Sequence, residues 1–303
     1  MIDDDHTRRF TELRPLLFTI AYEILGSATD ADDVLQESYL RWADVDLAGV
    51  SDTKSYLAKV VTRQALNSLR AASRRREQYV GPWLPEPILV DEHDAAADVV
   101  LAESVSTAML VVLESLTPDE RAVFVLREVF GFTHDEIAEI VEKSSAAVRQ
   151  TASRARNHVH ARRQRFEPVD DARAAEVTAA FLAAATSGDL EDLMALLAPD
   201  VVFTADSDGK ASAVRRPIEG AQLVAKLMAG FSRLGGRFDD LAVEPAIINS
   251  LPGMIVHFDG QLQGVFVLHV VDGAIRHMYA TRNPDKLGGL ERQRSIARIR
   301  TTT

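Results

Sequence analysis

Apolar positions in the first quarter of the chain recur at helical spacing and predict three helices: about residues 7–26, 29–42 and 53–73. In the second, Leu35, Tyr39 and Trp42 fall at i, i+4 and i+7 while Asp33, Gln36, Glu37 and Arg41 occupy another face. One stripe packs and the other is left to meet a partner. Gly81–Pro87 reads GPWLPEP, which excludes a helix or a central strand and predicts a linker with an aromatic anchor.

Two capped helix starts follow, Thr117-Pro118-Asp119-Glu120 and Thr133-His134-Asp135-Glu136. The second opens a short helix with Ile137, Ala138, Ile140 and Val141 on one face. A break falls at Glu142-Lys143, and Ser144 can cap a longer basic helix running towards Arg163. A short helix, a tight turn and a basic helix make a helix-turn-helix. Such turns often hold glycine, and a left-handed residue in Val141–Ser144 would cost roughly 1–2 kcal/mol. After Phe166-Glu167-Pro168 two helices over 170–198, broken at Ser187-Gly188-Asp189, precede β-branched runs, with Asp272-Gly273 marking a hairpin. That order predicts an α+β domain with a curved antiparallel sheet, and a tail from Asn283.

The 303 residues exceed what one core usually holds, so several domains are expected. The chain has no cysteine, which excludes disulfides, zinc-thiolate sites and thiol nucleophiles. The opening MIDDDHTRRF lacks a signal-peptide pattern and no apolar run approaches the roughly 20 residues of a membrane span, so a soluble cytoplasmic protein with no membrane partner is expected. The net charge of -11 speaks against nucleic acid only when taken whole. From Lys143 to Arg165 there are seven basic residues and no acidic one, whereas residues 81–105 carry six acidic and no basic side chains. The deficit lies in the linker and the C-terminal part, and free protein is expected to bind DNA poorly without a partner.

The segments TDADDVLQESYLRW (29–42), SYLAKVVTRQALNSLRAASRRR (55–76) and LTPDERAVFVLREVFGFTHDEIAEIVEKSSAAVRQTASRARNHV (116–159) resemble extracytoplasmic-function sigma factors of bacterial RNA polymerase. Residues from about 170 to 283 resemble SnoaL-like domains of the nuclear-transport-factor cone fold. WLPEP (83–87) and NPDKL (283–287) match the sigma subfamily carrying that extension. The resemblance implies a multidomain fold: sigma domain 2 at 1–78, a linker at 79–104, sigma domain 4 with the helix-turn-helix at 105–166, a SnoaL-like α+β cone at 167–283, and a tail at 284–303. It implies core RNA polymerase, through the β′ clamp and β flap, and promoter DNA as partners, with no cofactor, no metal, no catalytic residue and no dedicated anti-sigma factor.

On this reading Arg63, Asn67, Arg70 and Arg74, at i, i+4, i+7 and i+11, present guanidinium groups and an amide to the -10 element. Asn67 stands where many relatives have aspartate. Ser145, Ala147, Arg149 and Gln150 enter the major groove at the -35 element, with Arg149 suited to guanine and Gln150 to adenine; Arg154, Thr133 and Lys143 add backbone contacts. Asp32, Asp33, Gln36 and Glu37 suit a basic polymerase surface. Trp83, Leu84, Pro85, Glu86 and Pro87 should meet the extension, with Trp83 in an apolar seat. Its partners are Asp206, Asp208, Gly209 and Lys210, a one-glycine form of a DGGGK motif, and Asn283, Pro284, Asp285 and Lys286.

His257, His269, His277 and Tyr279 are further polar candidates near strands. Fold alone awards no activity, so three classes stand open. They are a non-enzymatic initiation factor regulated in cis, a regulator whose extension senses an unknown small ligand in its pocket, and one whose extension is a working enzyme.

Overall fold

The computed structural model describes residues 4–76, 78–90, 98–163, 171–235 and 240–298. Helices α1 (Asp4–Leu25), α2 (Ala28–Trp42) and α3 (Thr53–Arg76) form the N-terminal unit. Gly26, at φ +69°, ends α1, and the Ser27 hydroxyl caps α2 by accepting from the Asp30 amide. The Trp42 indole donates to the His6 carbonyl at 2.9 Å and pins the end of α2 to the start of α1.

The second unit contains α4 (Val99–Ser104), α5 (Thr107–Leu113), α6 (Pro118–Phe124) continued by a π-helical turn over Val125–Val129, α7 (His134–Val141) and α8 (Ser145–Arg163). Both sequence-read capping boxes form, at Thr117/Glu120 and Thr133/Glu136. Helix α4 lies inside the stretch expected as linker, started by an Asp98 cap. The break before α8 is a left-handed Glu142 at φ 57°, ψ 46°. The two helical units share one core, in which Leu17, Ile20, Leu57 and Val61 of the first join Val105, Leu126, Phe130 and Val148 of the second.

The C-terminal unit is α+β. Helices α9 (Asp171–Ser187), α10 (Leu190–Leu196) and α11 (Ala221–Gly235) cover one face of an eight-stranded sheet. Its strands are β1 (Leu89–Val90), β2 (Leu197–Asp206), β3 (Ile218–Glu219), β4 (Leu241–Ile248), β5 (Leu251–Phe258), β6 (Gln261–Val271), β7 (Ala274–Thr281) and β8 (Gln293–Arg294), in the order β3-β2-β7-β6-β5-β4-β1-β8. Asp272 and Gly273, at φ 52° and 75°, make the expected hairpin between β6 and β7. Alternation along these two strands sends Leu268, Met278 and Ala280 to the helices. Val265, Val267 and Tyr279 go to the opposite face, which packs on Leu84 of the linker, Ala108 of α5, Leu287 and Leu290.

Two of the eight strands come from outside the unit. Strand β1 belongs to the linker and β8 to the C-terminal stretch, and the two pair in parallel. The segment from Asn283 is therefore no tail as far as residue 298: it forms helical turns at Pro284–Lys286 and Gly288–Glu291 and buries Leu287, Leu290 and Ile296. Its apolar residues have no periodicity of their own because each is covered by a different neighbour.

Candidate functional site

Helix α3 carries the face nominated for the -10 element, and most of that face is engaged by the helix-turn-helix unit. Arg63 donates through Nε to the Ile140 carbonyl at 2.9 Å and through Nη2 to the Glu139 carbonyl at 2.8 Å, and it pairs with Glu142 at 2.9 Å. Arg70 pairs with Asp119 at 2.7 Å, Lys143 reaches the same carboxylate, and Lys59 lies 3.6 Å from Glu139. Burial works to raise the Asp119 pKa, but its hydrogen bonds with Lys143 and Arg70 outweigh this and hold the carboxyl below its ordinary range. Asn67 is exposed, and the side chain of Arg74 lies outside the described residues. A cleft of about 240 Å³ beside the loop before α3, with Asp52 and Tyr56 on one wall, is closed on the other by Phe132, Glu136 and Ile140.

Helix α8 is placed differently. Arg149 and Gln150 stand exposed at its N-terminal half and Ala147 is half-exposed. The Ser144 hydroxyl caps the helix by accepting from the Ala147 amide at 3.2 Å. Ser145 is tied to Asp135, and Arg154, 56% exposed, reaches Glu120 at 3.4 Å. Thr133 spends its hydroxyl within the capping box.

On α2, Asp33, Gln36 and Glu37 are exposed, with Glu37 accepting from Gln64 at 3.0 Å. Leu40, 61% exposed, stands on the same face, an apolar member that the acidic pattern concealed. Asp32 is half-buried and already occupied, by Arg14 at 3.1 Å, Arg292 at 3.1 Å and Arg294 at 2.6 Å.

The three subfamily motifs converge on one buried pair. Asp206, fully buried, accepts from the Leu84 amide at 2.8 Å, from Lys286 at 2.6 Å and from the Tyr79 hydroxyl. Lys286 also donates to the Leu84 carbonyl at 2.5 Å, and Asn283 donates to Tyr79 at 2.8 Å. Lys210 pairs with Asp285 at 2.5 Å and with Asp208 at 3.1 Å. Asp208 and Gly209 are both left-handed, at φ 49° and 68°, so the aspartate takes a backbone form that the family motif gives to glycine.

The expectation for Trp83 needs correction: it is half-buried, with the Lys286 ammonium 3.9 Å over its ring, and the buried apolar anchor is Leu84 at 1% exposure. A cation–π seat suits the indole because its polar surroundings are already paired. Pro85 and Pro87 are buried beside it. Glu86, also buried, accepts from the Ser27 hydroxyl at 2.8 Å, the Thr29 amide at 2.9 Å and the Thr29 hydroxyl at 2.8 Å. Its negative charge thus sits at the N-terminus of α2, where the helix dipole favours it. Gly26 closes this junction: a Cβ there would stand 2.9 Å from Trp83 and 3.1 Å from Arg121.

A second junction had no signal in any motif. Asn249, at the left-handed tip of the β4–β5 hairpin, accepts from the Ile88 amide at 3.2 Å and donates to the Tyr22 hydroxyl at 2.5 Å and the Val105 carbonyl at 3.0 Å. One amide therefore joins both helical units and the linker to the sheet. Beside it Arg121, 1% exposed, donates to the Glu23 carbonyl at 2.8 Å and pairs with Glu114. The Glu23 carboxyl is fully buried and accepts from Ser104 at 2.7 Å. Burial pushes its pKa up to about 8, against the smaller opposing pull of Ser104 and Arg121. Only the Asn249-Ser250 turn chemistry could have pointed to this tip.

In the sheet, His269 is 3% exposed and lies 5.7 Å from the His277 ring, which stacks on Tyr279 at 6.0 Å. Burial first, and then the nearby His277 and Arg276, push the His269 pKa down to about 3, so the ring stays neutral at physiological pH. A cavity of about 810 Å³ opens on the other side of the sheet, between α9 and β4–β5, lined by Ala179, Leu182, Ala183, Ile247 and Met254 among others. Among the described residues no helix is long and apolar enough to cross a membrane.

Comparison with known proteins agrees with this geometry. Residues 9–75 match the Sigma-70 region 2 family and residues 106–159 match Sigma-70, region 4. The chain is 38% identical, over 92% of each protein, to the ECF RNA polymerase sigma factor SigJ of Mycobacterium tuberculosis. It is 29% identical to the probable ECF RNA polymerase sigma factor SigI of the same organism, over 91% of this chain and 93% of that one. The crystal structure of Mycobacterium tuberculosis SigJ superposes with a TM-score of 0.76 and 34% identity, covering 94% of this chain and 99% of that one.

Proposed function

The chain belongs to the extracytoplasmic-function sigma factors of RNA polymerase, alternative sigma factors that direct transcription initiation, and on that premise we propose that its α+β extension regulates it in cis. The extension holds the two promoter-reading units in a closed arrangement without a dedicated anti-sigma factor. The observation that carries this reading is the Asp206–Lys286 pair clamped on both backbone groups of Leu84, since the linker between the two units cannot extend while that pair stands.

In the open state Arg63, Asn67, Arg70 and Arg74 serve the -10 element. Arg149 and Gln150 read bases of the -35 element, where Ser145, Ala147, Arg154, Thr133 and Lys143 fix register. Asp32, Asp33, Gln36 and Glu37, with Leu40 as an apolar centre, dock on the β′ clamp in the cytoplasm, and the helix-turn-helix unit meets the β flap. The extension acts without catalysis: Asp206, the acid nearest the motif, is committed to three hydrogen bonds, and His269 is neutral and buried.

Full-length protein is to be compared with deletions of 284–303 and 167–303 in promoter-dependent transcription with core polymerase. Altered output in the deletions supports regulation in cis, and unchanged output in both overturns it. The 810 Å³ cavity supports a second reading, a small apolar ligand that biases the closure. Filling it by Ala179→Phe tests that reading, because transcription that ignores the filled cavity leaves closure to the interdomain contacts alone.

A further inference from the structure

The turn of the helix-turn-helix holds a glutamate where the backbone favours glycine. Glu142 is left-handed, a conformation that costs a non-glycine residue roughly 1–2 kcal/mol. Its carboxylate points out of the turn, 74% exposed, and meets the Arg63 guanidinium of α3 at 2.9 Å. The same guanidinium donates to the carbonyls of Glu139 and Ile140. These belong to the last turn of α7, where carbonyls lack intrahelical partners and carry the negative end of the helix dipole. Arg63 thus meets, in one place, a carboxylate and two partly negative carbonyl oxygens. That acceptor set resembles what a nucleic-acid phosphate offers a guanidinium.

We infer that Glu142 is a phosphate surrogate: it holds Arg63 of the -10-reading helix against the -35-reading unit until promoter DNA takes the guanidinium. The inference rests on the closed arrangement proposed above and adds where the gate sits. Arg63 commits its Nε–Nη2 edge to α7 and Glu142, so a phosphate that takes that edge bidentately displaces the cap on α7. Promoter engagement by α3 therefore also frees the turn that sets the start of α8, and the two readers are coupled through a single side chain. Asp119 plays a supporting part by holding Arg70.

The test uses the full chain and a short mixed-sequence DNA single strand as probe. Glu142→Gln removes the charge and keeps the left-handed non-glycine residue; Glu142→Gly removes both charge and strain. Each is expected to bind the single strand about two- to fivefold more tightly at low salt, the size expected of a half-exposed ion pair, with the gain shrinking as salt rises. Glu142→Gly should also unfold at higher temperature than Glu142→Gln. The control is Glu128→Gln, which removes a carboxylate of the same unit that pairs with Arg156 instead. Equal gains in the control, or no gain in either Glu142 variant with the fold intact by circular dichroism, overturn the proposal.

The deletion of 167–303 separates the two readings. If transcription is indifferent to that deletion while the Glu142 variants still gain, the gate stands and regulation by the extension falls. If the deletion changes output and the Glu142 variants do not gain, only the gate falls.

Discussion

In the function proposed above helices α3 and α8 both read promoter DNA, yet the fold treats them oppositely. On α3 the cations Lys59, Arg63 and Arg70 are each matched to an acidic side chain of the other unit. On α8 Arg149 and Gln150 stand exposed, with none of the described residues burying them. A basic helix is thus not by itself an available DNA surface, since availability depends on where the acidic residues of the same chain come to lie. The net charge of -11 says nothing of this: the acids that cover α3 are Asp119, Glu139 and Glu142 of the helix-turn-helix unit, outside the linker and C-terminal part where the acidic excess lies.

The largest expected effect comes from breaking the junction that keeps α3 covered. Lys286→Ala leaves the buried Asp206 carboxylate without its cation, which should cost about 3–5 kcal/mol in chemical denaturation. Linker protection against proteolysis should be lost with it. If stability is unchanged, this pair is not what holds the linker.

The next test sharpens the contrast between the helices. Arg149→Ala should cost about 1–3 kcal/mol in binding of a duplex -35 element and relax selectivity at one position. The loss should be visible in the free protein, because α8 is already exposed. Arg63→Ala should show its promoter defect only in the holoenzyme, where α3 has been released. Equal defects of both variants in the free protein would erase the distinction drawn between the two helices.

Glu23 supplies a pH signature of the closed state. Its pKa, about 8 in the fold against an ordinary 4.5, is raised, so the protonated form is favoured on folding. The stabilisation it brings is complete below about pH 4.5 and is lost as pH rises through about 8, at up to about 1.4 kcal/mol per pH unit. Glu23→Gln should flatten that slope in denaturation measured at a series of pH values. The smallest effect belongs to Asp119→Asn, which weakens a half-buried partner of the exposed Arg70 and should cost no more than about 1 kcal/mol.

Much of this was legible from local chemistry. Thr117, Thr133 and Ser144 start their helices as their side chains require, Gly26 ends α1, and Asp272-Gly273 turns the final hairpin. The face shared by Arg63 and Arg70 follows from helical spacing, but spacing cannot say that Glu142 and Asp119 would stand opposite. The same limit explains the misread tail: Leu287, Leu290 and Ile296 are buried by the sheet face and by α1's unit, surfaces separated from them by much of the chain. Asn249 was invisible for a related reason. A single asparagine in a turn is common, and only three-dimensional proximity to Tyr22, Ile88 and Val105 gives it a role. Trp83 drew attention by size, whereas Leu84 took the buried seat because its backbone is held on both sides by Asp206 and Lys286.

The absence of native cysteine makes the central claim directly measurable. Ala71→Cys on α3 and Asn157→Cys on α8, both at exposed positions, allow two spin labels to be placed and their separation read by double electron–electron resonance. The account predicts one short, narrow distance distribution in the free protein and a shift to a longer distance in holoenzyme on promoter DNA. The same distribution in both states would contradict it, because α3 would then read the promoter without leaving the helix-turn-helix unit.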